Sequence, residues 1–145
     1  MIFIGNSNQI DFNITGYQYP SEVSSVDEYN YDANWLVCKI DYMDEKTKES
    51  YRDPALLTYE LEELYNALSM ILDGEDDSYI SDFMEPYVKI SIARNEKMVI
   101  FTFHFIYDTS GEEWMTRKVT SLLSKEEAIC VLKELEGMVE TYPPR

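Results

Sequence analysis

The run Met98 to Tyr107 constrains the fold more than any other stretch. Val99, Phe101, Phe103, Phe105 and Tyr107 share one face of a strand, and Met98, Ile100, Thr102, His104 and Ile106 share the other. Side chains alternate along a strand with a period of two, so both faces here are largely apolar. Such a strand belongs in the middle of a sheet, with cover over it. The rest of the chain must supply neighbouring strands and an apolar layer to lay on them.

The neighbours are legible in order. Ile10, Phe12 and Ile14 alternate with Asp11, Asn13 and Thr15 and predict a half-buried strand, ended by Gly16-Tyr17-Gln18-Tyr19-Pro20. Residues 21–30 are polar and read as a surface loop. A second strand begins near Asn34, with Leu36, Cys38, Ile40 and Tyr42 on one side and Lys39 and Asp41 on the other. The turn Asp44-Glu45-Lys46-Thr47-Lys48 returns it as a short third strand over residues 49–52, closed by Pro54. Val88, Ile90 and Ile92 alternate with Lys89 and Ser91, and Asn95-Glu96-Lys97 turns that strand into the central run. Ser110-Gly111 turns again into a more polar strand over residues 114–122.

Two segments carry helical spacing instead. Leu61, Leu64, Tyr65, Leu68, Ile71 and Leu72 form one stripe, between Thr58 as cap and Gly74 as stop. Glu60, Glu62 and Glu63 sit in its first turns, where the helix dipole favours carboxylates. Ser124 and Glu127 make a capping box ahead of a closing helix that buries Ala128, Leu132, Leu135, Met138 and Val139 and stops at Tyr142-Pro143-Pro144. The chain is expected to fold as one α+β domain over residues 1–145, an antiparallel sheet of about six strands with two helices in the order β-β-β-α-β-β-β-α.

At 145 residues and 45% hydrophobic, the chain can close a core without staples. Cys38 and Cys130 both fall on apolar sides and read as small core residues. No stretch reaches about 18 apolar residues, and Met1-Ile2-Phe3-Ile4-Gly5 lacks the basic start of a signal peptide, so the cytoplasm is the expected location.

Charge narrows the partners. With 12 Lys and Arg against 28 Asp and Glu, the formal charge is −16. A nucleic acid or an anionic membrane surface would be repelled, whereas a basic protein would be attracted. No Lys or Arg occurs between Arg52 and Lys89, while Asp53, Glu60, Glu62, Glu63, Asp73, Glu75, Asp76, Asp77, Asp82 and Glu85 contribute −10 of the −16 there. If that stretch shares a surface, its field speeds encounter with a cationic protein. Glu60, Glu62, Glu63, Asp73, Glu75, Asp76, Asp77, Asp82 and Glu85 are therefore the candidate contact residues. The plain alternative is a scattered, solvated surface that keeps the chain soluble.

Nothing points to catalysis. His104 is the single histidine and lies mid-strand, where it reads as a sheet residue, and two distant cysteines complete no zinc site. Counted from Asp73, a calcium loop requires glycine sixth and glutamate twelfth; Ser78 and Met84 stand there instead. No nucleophile elbow, phosphate loop or dinucleotide fingerprint is present, and no cofactor is expected.

Several segments together resemble the WapI-type immunity proteins of bacterial toxin systems. They are Gly16-Tyr17-Gln18-Tyr19-Pro20, Tyr31-Asp32-Ala33-Asn34-Trp35-Leu36, Leu57-Thr58-Tyr59-Glu60-Leu61-Glu62-Glu63-Leu64, Phe83-Met84-Glu85-Pro86, and the helix ending Tyr142-Pro143-Pro144-Arg145. They occur in the family's order; Tyr19 and Tyr142 stand where the family often has phenylalanine. The resemblance implies a cytoplasmic antidote that binds the toxic C-terminal domain of a secreted toxin, commonly a nuclease with a basic active surface. It brings no catalytic residues. Tyr31, Asp32, Asn34 and Trp35 are read as structural, with Trp35 packed under the sheet and Asp32 and Asn34 closing the turn. The rival reading is a small acidic accessory or ligand-binding domain with another partner.

Overall fold

The computed structural model describes the whole chain apart from Val26 and Asp27, so the surface-loop reading of residues 21–30 falls partly outside the described residues. The elements follow in the order β1 (Ile2–Ile4), β2 (Asn8–Tyr17), α1 (Tyr31–Asn34), β3 (Trp35–Asp44), β4 (Lys48–Leu57), α2 (Thr58–Asp73), β5 (Ser78–Ile80), β6 (Val88–Arg94), β7 (Met98–Asp108), β8 (Met115–Ser124) and α3 (Lys125–Thr141).

The strands form two antiparallel sheets, β1-β2-β3-β4 and β5-β6-β7-β8, each four-stranded. The expected single sheet of about six strands with two helices is thus corrected. Alternation identifies a strand's apolar face but not its neighbour. Here α2 intervenes between β4 and β5, and the strands after it pair only with one another. The two added strands, β1 and β5, are three residues each, too short to show a period. The added helix, α1, is a single turn of four residues.

The apolar faces of the sheets meet. Phe3 stacks on Phe101 with ring centroids 4.3 Å apart, Phe12 lies 5.2 Å from Phe103, and Tyr51 lies 5.3 Å from Phe105. Each such ring stabilises by about 1.5–3 kcal/mol through burial alone. Along one side β1 runs beside β8, where Ser121 Oγ donates to the Ile4 carbonyl (2.8 Å) and Asn8 Nδ2 to that of Lys118 (3.0 Å). Helices α2 and α3 pack on each other; α2 also touches β4, β5 and β6, and α3 touches β7 and β8.

β7 is interior, between β6 and β8, as its two apolar faces require. Val99, Phe101, Phe103 and Phe105 are buried, while Met98, Ile100, Thr102, His104 and Ile106 on the outer face are half-buried. β4 is longer than residues 49–52: it continues through Pro54, which lies opposite Val37 at a register shift on an edge strand. Proline lacks a ladder N–H, and an irregular edge position tolerates that loss. Cys38 is buried, and burial pushes its thiol up to about 12. Cys130 is exposed on α3 rather than in the core.

Candidate functional site

The N-terminal end of α2 gathers most of the buried polar chemistry. Leu57, not Thr58, occupies the cap position, and its side chain has no acceptor to offer the first turn. Glu60 supplies the missing half from inside the helix: its Oε2 accepts the Leu57 N–H at 2.7 Å. Its Oε1 accepts the Met84 N–H at 2.5 Å, tying down the segment that follows β5. Glu60 is only 1% exposed, so the carboxylate first read as a contact group is a structural one. Burial pushes its pKa up, the two N–H bonds oppose that shift, and the negative charges of Glu63 and Glu85 reinforce it.

Thr58, one residue inside the helix, donates its hydroxyl proton to Asn34 Oδ1 at 2.9 Å. Asn34 is fully buried, and its amide is saturated. Oδ1 also accepts the Arg145 N–H (2.9 Å). Nδ2 shares its protons among the carbonyls of Asn30 (2.8 Å) and Arg145 (3.1 Å) and Ser24 Oγ (3.3 Å). Asn34 thus bonds both the N–H and the C=O of Arg145, as a neighbouring strand would. The Arg145 guanidinium lies 4.5 Å over the Tyr17 ring, and Tyr142 Oη donates to the Ile14 carbonyl (3.2 Å). One side chain therefore joins α1, α2 and the segment after α3.

The other residues of the Tyr31-to-Trp35 run take different places from those expected. Asn30 rather than Asp32 closes the turn: Asn30 Oδ1 accepts the Asp32 N–H at 3.0 Å, and the Asp32 side chain is exposed. Trp35 is half-buried, and Leu36 holds the fully buried position beside it. The backbone of Trp35 pairs with Leu57, and its carbonyl accepts the Gln18 N–H at 2.8 Å.

The remaining acidic residues do not form one patch. After α2 the chain returns along the helix: Tyr79 Oη donates to Glu63 Oε1 (2.9 Å), and Met84 reaches Glu60. Glu62, Glu63, Asp82 and Glu85 therefore lie toward the N-terminal end of α2. Asp73, Glu75, Asp76 and Asp77 lie at the other end, around Gly74, which adopts the left-handed φ of 82° that ends the helix. Glu62 and Asp73 are separated by roughly 16 Å of helical rise. At the C-terminal end Arg94 bonds Asp77 at 2.7 Å. Among the described residues, no ion pair involves Glu62, Glu63, Asp82 or Glu85.

Beside this unneutralised end stand Tyr29, Tyr31 and Tyr59; Tyr31, expected as a structural residue, is instead half exposed. Tyr29 meets Tyr31 edge-on at 5.1 Å and Tyr59 at 6.2 Å, and its hydroxyl lies 3.4 Å from Thr58 Oγ1. All three are exposed, between 38% and 50%, and Met84 is 51% exposed. In the sequence Tyr31 reads as a structural residue and Tyr59 as part of a family-like run, and neither reading joins them to Tyr29.

Elsewhere the chemistry is sparse. His104 lies opposite Lys89 and Lys118 on the flanking strands, and burial, then those two charges, lower its pKa. Among the described residues no group of three or more His, Cys, Asp or Glu is placed to hold a metal ion. A cleft of about 280 Å³ opens between β4 and β7, lined by Tyr51, Asp53, Tyr87 and Phe105. No helix among the described residues is long and apolar enough to cross a membrane.

A family model described as the immunity protein WapI-like family matches residues 1–143. No curated protein and no solved structure matches the chain.

Proposed function

The chain belongs to the WapI-like immunity protein family, and from that premise we propose that it neutralises the toxic C-terminal domain of a secreted bacterial toxin by stoichiometric occlusion in the cytoplasm. The toxin domain is a nuclease with a basic active surface, and the chain covers that surface without making or breaking bonds. The supporting observation is electrostatic: Glu62, Glu63, Asp82 and Glu85 stand at one end of α2 with no ion-pair partner among the described residues, in a chain of net charge −16. A field of that sign concentrates a cationic partner and accelerates its docking.

The test is titration of the chain against the nuclease activity of the toxic C-terminal domain of its cognate toxin. Inhibition is expected to saturate at one chain per toxin, with an association rate that falls roughly tenfold or more from low to high salt. Inhibition without a defined stoichiometry, or association indifferent to salt, overturns the reading.

A further inference from the structure

We propose that Tyr29, Tyr31 and Tyr59, with Met84 beside them, are the anchor onto which an arginine- and lysine-bearing protein surface docks. This deepens the antidote reading above and rests on it.

Two observations and one general property of tyrosine carry the inference. The rings are mutually packed yet exposed, so they present a preassembled aromatic surface in place of three separate side chains. Tyrosine is among the residues that dominate binding at protein interfaces, because it contributes a large contact area and loses little rotamer freedom. The elements that carry the rings are held from beneath. Asn34 bonds the Asn30 carbonyl, next to Tyr29 and Tyr31, and the Thr58 hydroxyl, next to Tyr59. A surface arranged before binding loses less entropy on binding.

Charge selects the occupant. Glu63 lies four residues after Tyr59 on the same face of α2, and Glu85 follows Met84, whose N–H bonds Glu60 next to Tyr59. Tyrosine faces attract cations, and carboxylates at their rim hold the same cation by its other side. The chain uses this geometry internally: the Arg117 guanidinium sits 4.3 Å over the Tyr42 ring and 4.4 Å over that of Tyr107, and bonds Glu49 at 2.9 Å. The exposed tyrosines offer a partner's arginine the arrangement that Arg117 already occupies. An acidic or purely apolar partner surface finds no such complement there.

The experiment is calorimetric titration with the toxic C-terminal domain of the cognate toxin. The Tyr31→Ala/Tyr59→Ala variant is expected to raise Kd about 100-fold, while Tyr31→Phe/Tyr59→Phe, which keeps the rings, stays within about fivefold. In parallel, labelling of Tyr31 and Tyr59 in the unsubstituted chain is expected to fall when the toxin domain is bound, a measurement that needs no variant to fold. Tight binding by the double alanine variant, or labelling undiminished in the complex, overturns the anchor and leaves the antidote reading standing. Failure of the unsubstituted chain to bind the toxin domain overturns both.

Discussion

The two ends of α2 carry similar numbers of carboxylates and use them differently. At the N-terminal end two carboxylates are bonded within the chain, while Glu62, Asp82 and Glu85 have no ion-pair partner among the described residues. Glu60 is buried on two backbone N–H groups, Glu63 holds the Tyr79 hydroxyl, and Asn34 and Thr58 lock the approach of the chain from below. At the C-terminal end Asp73, Glu75, Asp76 and Asp77 are all exposed around a glycine turn, and their one ion pair, Asp77 with Arg94, reaches into water. A carboxylate's role is thus set by where the chain returns. The segment from Ser78 to Glu85 passes back toward the start of α2 and brings a backbone donor to Glu60. At the loop, β6 brings back Arg94 to Asp77.

The sharpest way to break this comparison is Asn34→Ala. It removes a fully buried amide and strands the Thr58 hydroxyl and the Arg145 backbone together. Unsatisfied buried polar groups cost about 1–3 kcal/mol each, and relaxation recovers part of that, so a loss of about 2–4 kcal/mol is expected in urea unfolding. A loss below about 1 kcal/mol would mean that the hub is ornamental.

Glu60→Gln comes next, at about 1–3 kcal/mol at neutral pH, because an amide nitrogen cannot accept a second N–H where a carboxylate oxygen did. Its pH dependence has a definite sign. Glu60 has a raised pKa in the folded chain, so the folded state holds the proton more tightly than the unfolded one. Its contribution to stability therefore increases as pH falls from the folded pKa toward the group's ordinary value of 4.5 and declines as pH rises. Carboxylates with lowered pKa, such as Asp41 and Asp108, work oppositely, but they are common to both proteins and cancel in the difference. The stability gap between the unsubstituted chain and Glu60→Gln should widen as pH is lowered to about 4.5.

These same residues show what the sequence exposed and what it withheld. The stripe from Leu61 to Leu72 and the alternations of β2, β3 and β7 were legible because each element's apolar face is written into its own residues. So was the Ser124–Glu127 capping box, since its partners lie three residues apart (Glu127 N–H to Ser124 Oγ, 3.2 Å; Ser124 N–H to Glu127 Oε2, 2.8 Å). Sheet membership was not legible, because pairing is decided between segments. Asn34 looked like a turn residue because its decisive partner, Arg145, lies 111 residues away. Glu60 looked solvated because the N–H that shares in burying it comes from Met84, 24 residues on. The composition of the acidic stretch is legible in the sequence, but whether it shares one surface is left open there. A helix's length between its ends is a spatial fact that charge counting does not contain.

The smallest effect is expected at the opposite end. Asp77 is 86% exposed, and its bond to Arg94 competes with water and with the rotamer freedom of both side chains. Salt screens what attraction remains. Asp77→Asn should therefore leave Tm within about 2 °C of the unsubstituted chain, and raising the salt should not change that result. A drop of more than about 5 °C would mean that the loop after Gly74 is locked as tightly as the start of α2. The acidic residues would then have to be divided by something other than the direction in which the backbone returns.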